Sequence, residues 1–87
     1  TILNGQKMQD SNTSDMIFDV ETIIEFLSGS TNLRAGTMIL TGTPQGIGYS
    51  REPPVFMKDG DEVTIEIDKI GSLTNYLISE NDYSILN

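Results

Sequence analysis

Two threonines and three glycines fall between Thr41 and Gly48, in the run ILTGTPQGIGY, and their types and spacing suit ligand chemistry. Gly42, Gly46 and Gly48 leave backbone N–H groups accessible, and successive exposed N–H groups form concavities that hold a phosphate or a carboxylate. Thr41 and Thr43 add hydroxyl donors at the end of an apolar run, and strand ends are favoured ligand positions. The run is not a P-loop, because Ile47 rather than Lys follows Gly46. Nor is it a dinucleotide-binding turn, because the glycine spacing differs and no helical pattern follows. The plain alternative is a loop whose glycines serve only tight turns.

Carboxylates are the other candidates. Glu62, Glu66 and Asp68 share one face of a strand, and Glu66 and Asp68, two residues apart, in principle hold a hard cation, but the solvated face of a hairpin explains them as well. Asp10 and Asp15 flank Asn12 and Thr13 without the glycine and distant glutamate of an EF-hand, so no calcium loop is assigned there. Lys58, in MKDGD, reads as a solvated turn lysine. The chain contains no histidine and no cysteine. That removes the usual general base at neutral pH, the commonest metal ligand, disulfides, thiolate zinc sites and a cysteine nucleophile. Catalysis by this chain alone would rest on carboxylates, Lys, Tyr or Ser, and no nucleophile–base pair is discernible among them.

These residues sit on elements with local signatures of their own. Asn4-Gly5, between Ile2-Leu3 and Gln6-Lys7-Met8, is a strong hairpin signal, because both central positions of a type I′ turn need positive φ. The second arm extends to Gln9. The first has only Thr1, Ile2 and Leu3, and the chain opens on Thr1 rather than Met, so it is expected to be cut from something longer. A polar turn spans Asp10 to Asp15, and an apolar patch follows at Met16-Ile17-Phe18. Asp19 is a good N-cap for a helix over 19–28. Thr22 stands at its third position, and Val20, Ile23, Ile24 and Leu27 form one apolar stripe. Gly29 suits a left-handed C-cap.

Two later segments echo each other. NLRAGTMILTGT and FMKDGDEVTIEI each place a turn glycine, Gly36 or Gly60, before a strand. The strand Thr37–Thr41 is nearly all apolar, as for burial on both faces. The strand Glu62–Asp68 alternates, with Val63, Ile65 and Ile67 inward and Glu62, Thr64, Glu66 and Asp68 toward water. A turn at Ile70-Gly71 and a further strand over SLTNYLIS complete a hairpin. The segment PQGIGYSREPPVF is a long loop carrying Pro53-Pro54, and the tail over 80–87 is expected to fray. The fold class is α+β, with one helix and four to five strands.

At 87 residues the chain makes one domain or part of one. A chain of that size buries roughly 60–65% of its unfolded surface, so its core is small. With 37% hydrophobic and 21% charged residues the composition is that of a soluble globular protein. The net charge of −8 argues against nucleic acid and anionic membrane surfaces, whose phosphates it repels. No apolar run approaches the roughly 20 residues of a membrane span.

Taken in order, NGQKMQDSNTSDMIF, VETIIEFLS, ILTGTPQGIG, PPVFMKDGDEV and IDKIGSLTN resemble the C-terminal part of the fumarylacetoacetate hydrolase superfamily, over about residues 2–77. No single piece is specific, but the set is. The resemblance implies that residues 1–87 are a C-terminal fragment of such a catalytic domain and part of its mixed β-sheet roll. It implies an enzyme that acts on small oxo acids or acylpyruvates, by C–C bond hydrolysis, decarboxylation or isomerisation/tautomerisation, and a homodimeric parent. It also implies Mg²⁺ or Mn²⁺ held by three carboxylates as a Lewis acid, with a lysine and in several members a His–Glu pair nearby.

In that family the metal-binding carboxylates, the lysine and the histidine all precede the Asn-Gly turn. Lys7, Lys58 and Lys69 do not match the lysine, so no catalytic residue and no metal ligand is carried over. What matches is Gly42-Thr43 in TGTP, where the family's threonine hydrogen-bonds the substrate carboxylate. Thr43, with Gly42 beside it, is therefore the substrate-binding candidate. Thr37 stands where the family usually has Asp. The expected partner is a small-molecule oxo acid, with neither nucleic acid nor membrane, and the expected compartment is cytoplasmic, with mitochondrial as the alternative. The competing reading is a non-catalytic truncated remnant, or a small-ligand binding module without activity of its own.

Overall fold

A computed structural model describes residues 1–83. The chain divides into two compact units, Thr1–Asp10 with the chain from Pro44 on, and Ser11–Thr43.

The first unit is a sheet begun by a turn. Asn4 and Gly5 adopt φ of 50° and 82°, as a type I′ turn requires, and join β1 (Ile2–Leu3) to β2 (Gln6–Lys7). Pairing runs past these short strands. The Met8 N–H donates to the Thr1 carbonyl and the Thr1 α-amino group donates to the Gln9 carbonyl, both at 2.9 Å. The other edge of β1 meets β3 (Glu62–Ile67), with Ile2 opposite Thr64 and Leu3 opposite Val63. β3 in turn pairs along its length with β4 (Gly71–Tyr76). The order is β2-β1-β3-β4, antiparallel throughout.

The β3–β4 turn lies two residues earlier than Ile70-Gly71. The Ile70 N–H donates to the Ile67 carbonyl at 3.1 Å, so Asp68 and Lys69 are the central residues. Lys69, at φ 65°, supplies the positive φ that this turn needs at its third position. Gly71 is already strand. Gly60, at φ 86°, makes the turn before β3, and its N–H donates to the Leu77 carbonyl at 2.8 Å. The tail does not simply fray. Glu80–Tyr83 forms one helical turn, α2. The Ser79 N–H donates to Asp59 Oδ1 at 2.7 Å, and the Ser79 hydroxyl accepts the Asn81 N–H at the helix start. The remainder of the tail, 84–87, lies outside the described residues.

The second unit contains α1 (Val20–Ser28), one residue shorter than 19–28 because Asp19 is its cap. Asp19 Oδ1 accepts the Thr22 N–H at 2.8 Å. Gly29 is right-handed, at φ −67° and ψ −24°, and not a left-handed cap. The Ser30 N–H reaches the Leu27 carbonyl at 3.4 Å, so a tightened last turn satisfies that carbonyl without a left-handed residue. The polar cluster before the helix closes on itself as a 3₁₀ turn at Thr13–Asp15. Asn12 Oδ1 accepts the Ser14 N–H, and the Asp15 carboxylate accepts the Asn12 N–H and the Ser11 hydroxyl.

Thr37–Thr41 is not a strand. The Thr37 N–H closes a turn to the Arg34 carbonyl at 3.0 Å, with Gly36 at φ 88°. From Met38 to Thr41 the backbone joins no ladder among the described residues, and Leu40 is 86% exposed. An apolar β-branched run becomes a strand only where an edge accepts it. The expected inward face of β3 is partly open too, with Val63 half-buried and Ile65 47% and Ile67 52% exposed. Among the described residues no hydrophobic side chain is buried, and the buried residue is Asp61, 5% exposed. Backbone ladders and polar pins hold this sheet.

Candidate functional site

Gly42 and Thr43 end the Ser11–Thr43 unit. Gly42 takes φ 90°, and a Cβ built on it would meet nothing within 4 Å. Its backbone needs a glycine for conformation, then, and not for crowding. Thr43, next to it, is exposed.

Gly46 and Gly48 belong to the other unit and serve a different purpose. A Cβ on Gly46, at φ 105°, would overlap the Met8 carbonyl oxygen, and one on Gly48 would overlap the Val55 carbonyl oxygen. The Gly48 carbonyl accepts N–H groups from Val55 at 2.9 Å and Arg51 at 3.2 Å around a 3₁₀ turn at Gly48–Ser50. These two glycines serve close packing, because protein backbone occupies the space their missing side chains leave.

Arg51 was not singled out from sequence. It is half-buried; its Nε donates to the Gly46 carbonyl at 3.1 Å and its terminal N–H to the Met8 carbonyl. Gln9 Nε2 donates to the Pro44 carbonyl at 2.9 Å, and Thr1 Oγ1 donates to Gln9 Oε1 at 3.1 Å. The segment from Pro44 to Arg51 is thus tied to the backbone beyond β2 by two long side chains. Backbone carbonyls are the acceptors, and they carry no sequence signature.

Asp61 is the second residue that sequence reasoning missed. Its Oδ1 accepts Asn4 Nδ2 at 2.9 Å and its Oδ2 accepts the Lys58 N–H at 2.8 Å. Asn4 Oδ1 in turn accepts the Glu62 N–H at 2.8 Å, and the Asn4 N–H donates to the Glu62 carbonyl at 2.9 Å. One asparagine therefore pins the first turn to the head of β3. The Asn4 amide first, then the Lys58 N–H and the Lys58 charge, hold the Asp61 carboxyl below the usual aspartate range, against the upward pull of desolvation. Hydrogen bonding by Thr22 lowers Asp19 in the same sense.

The other carboxylates do not converge. Asp10 pairs with Lys7 at 3.4 Å in an exposed contact of little energetic weight. Asp15 caps its own turn. Among the described residues no group of three or more Asp or Glu could hold a metal ion. They do not fit the Mg²⁺ or Mn²⁺ that the resemblance implies, and no step below runs through a metal. No described helix is long and apolar enough to cross a membrane.

The family described as fumarylacetoacetate (FAA) hydrolase C-terminal matches residues 1–78, and the chain belongs to it. It is 47% identical over 76 residues to the mitochondrial oxaloacetate tautomerase FAHD2A of Bos taurus, a match covering 87% of this chain and 24% of that protein. It is 46% identical over 74 residues to the fumarylacetoacetate hydrolase domain-containing protein 2 homolog of Dictyostelium discoideum, covering 84% of this chain and 24% of that one. Among solved structures, a fumarylacetoacetate hydrolase from Exiguobacterium antarcticum superposes with a TM-score of 0.85 at 39% identity, covering 91% of this chain and 28% of that one. The chain spans about a quarter of the length of the curated relatives it matches.

Proposed function

We propose that this chain serves as the C-terminal part of the catalytic domain of an enzyme acting on small oxo acids, oxaloacetate among them, and that Thr43 and Gly42 bind the substrate carboxylate. The observation that carries the reading is the 47% identity to a protein named oxaloacetate tautomerase over nearly the whole of this chain. Gly42 supports the site, because the space beside its α-carbon is unfilled and the hydroxyl-bearing Thr43 follows it. A hydroxyl and backbone N–H groups can hold and orient a carboxylate, and a hydrogen bond to a charged group contributes roughly 1.5–3 kcal/mol. They neither abstract nor deliver a proton, so Thr43 positions the substrate and the chemistry falls to other groups.

On its own the chain has no activity in this reading. The absence of a buried apolar side chain among the described residues and the absence of His from the whole sequence both favour that. The test is a chimera in which this chain replaces the matched C-terminal quarter of the Bos taurus tautomerase. The proposal expects the chimera to convert oxaloacetate and the isolated chain to be inert. A folded but inactive chimera would overturn it, and so would an active isolated chain.

A further inference from the structure

Asn4 carries the pin between the first turn and β3, and its chain neighbour exposes its amide to a reaction. Nδ2 donates to Asp61 Oδ1 at 2.9 Å and Oδ1 accepts the Glu62 N–H at 2.8 Å. The next residue is Gly5, at φ 82°, with nothing within 4 Å of where a Cβ would stand. A glycine nitrogen has no side chain beside it, and is the least hindered backbone nucleophile a preceding side-chain amide can meet. We propose that Asn4 is a deamidation site, held off while the pin is closed, and that the reaction, once complete, opens the pin irreversibly.

The chemistry balances without an oxidant or a cofactor. The Gly5 nitrogen bonds to Asn4 Cγ, the Cγ–Nδ2 bond breaks, and ammonia leaves with the proton from the Gly5 N–H. Water then opens the five-membered imide. Cleavage of the new Cγ–nitrogen bond gives Asp at position 4; cleavage of the original main-chain bond gives isoaspartate. Net, one amide and one water become one carboxylate and one ammonium ion.

The folded turn opposes the first step. Two bonds hold the Asn4 amide, one to Asp61 and one to Glu62, and a rotation that turns the amide toward the Gly5 nitrogen breaks them together. The rate therefore follows the population in which this turn stands open from β3. The product cannot close again in the same way. A carboxylate at position 4 puts an acceptor where Asp61 needs a donor, and two like charges then share a part-buried contact. Isoaspartate also lengthens the main chain inside a two-residue turn. The modified fraction thus records how long β1 has spent away from β3.

The intact chain, the free peptide TILNGQKMQ and the Asp61→Ala chain are incubated in warm, mildly alkaline buffer, and conversion at Asn4 is followed by peptide mass spectrometry. The expected result is severalfold slower conversion in the intact chain than in the peptide, with Asp61→Ala moving toward the peptide rate. Conversion of the intact chain at the peptide rate, or an Asp61→Ala rate equal to that of the intact chain, overturns the proposal. Because Asp61→Ala removes the Lys58 bond as well, Asn4→Asp provides a second readout by installing the product directly. Amide exchange at Glu62 is expected to accelerate severalfold while the β3–β4 amides keep their protection. Unchanged exchange at Glu62, or exchange raised equally across β3 and β4, overturns the proposal.

Discussion

Thr37–Thr41 and Glu62–Ile67 are of similar length and both rich in β-branched residues, yet only the second is a strand. The more apolar of the two is the one without a ladder. Glu62–Ile67 has a partner on each edge, β1 on one side and β4 on the other. Thr37–Thr41 has none among the described residues. The contrast is one of available edges, not of residue preference. Backbone N–H and C=O groups stay with water until a neighbouring strand offers better partners. The same contrast separates the glycines. Gly46 is packed against backbone in the unit that has a sheet, while Gly42 stands in open space in the unit that does not.

Hydrogen exchange tests that contrast on the largest scale. The β3 amides should exchange at least about tenfold more slowly than those of Met38–Thr41, because opening a paired strand costs free energy and an unpaired segment has nothing to open. Equal rates would break the comparison. Next in size is a pair of substitutions followed by urea unfolding. Gly46→Ala combines a backbone overlap with a forced positive φ and should cost roughly 2–5 kcal/mol. Gly42→Ala meets no neighbour and should cost only about 1–2 kcal/mol, from its φ alone. Indistinguishable midpoints for the two variants would mean that the Met8 approach does not constrain the loop.

The Asp61 pin adds a pH dependence. Its carboxyl titrates lower in the folded chain than in the unfolded one, so the native state binds fewer protons. The stabilisation is complete above the ordinary aspartate range and is lost as pH falls through the lowered folded value. Thermal midpoints measured across that acid range should fall, and Asp61→Asn should flatten the fall. A curve that keeps its full slope in Asp61→Asn would assign the effect to other carboxylates, Asp19 first. The smallest effect belongs to the solvated side of the sheet. Thr64 Oγ1 and Thr74 Oγ1 lie 2.7 Å apart across β3 and β4. Thr64→Val should cost only roughly 0.2–1 kcal/mol, as cross-strand pairs do.

What could be read from the sequence was what neighbouring residues decide. Asn4-Gly5 specifies its turn because both positions want positive φ, and the structure has φ of 50° and 82° there. Asp19 three residues before Thr22 specifies a cap, and the helix begins where that cap puts it. The alternation of β3 gave its position but not its environment, since Ile65 and Ile67 remain half-exposed. Arg51 and Asp61 escaped notice for a different reason. Each has a partner far away in sequence, 43 residues for Arg51 with Met8 and 57 for Asp61 with Asn4, and the acceptors of Arg51 are carbonyls that any residue would supply. The turn at Asp68-Lys69 lies two residues before the expected Ile70-Gly71 because lysine rarely takes positive φ, whereas the glycine two residues further on does so freely. The family, by contrast, was legible because five short motifs in fixed order are specific together, and the match over residues 1–78 bears that out.

The substrate-binding role of Thr43 is the claim on which the functional account rests. The direct measurement is steady-state kinetics of oxaloacetate conversion by the chimera carrying Thr43, Thr43→Ser or Thr43→Val. Loss of one hydrogen bond to a charged group, roughly 1.5–3 kcal/mol, predicts that Thr43→Val raises KM by about tenfold to a hundredfold, while Thr43→Ser, which keeps the hydroxyl, stays near the parent. A KM for Thr43→Val equal to that of the parent chimera would contradict the assignment.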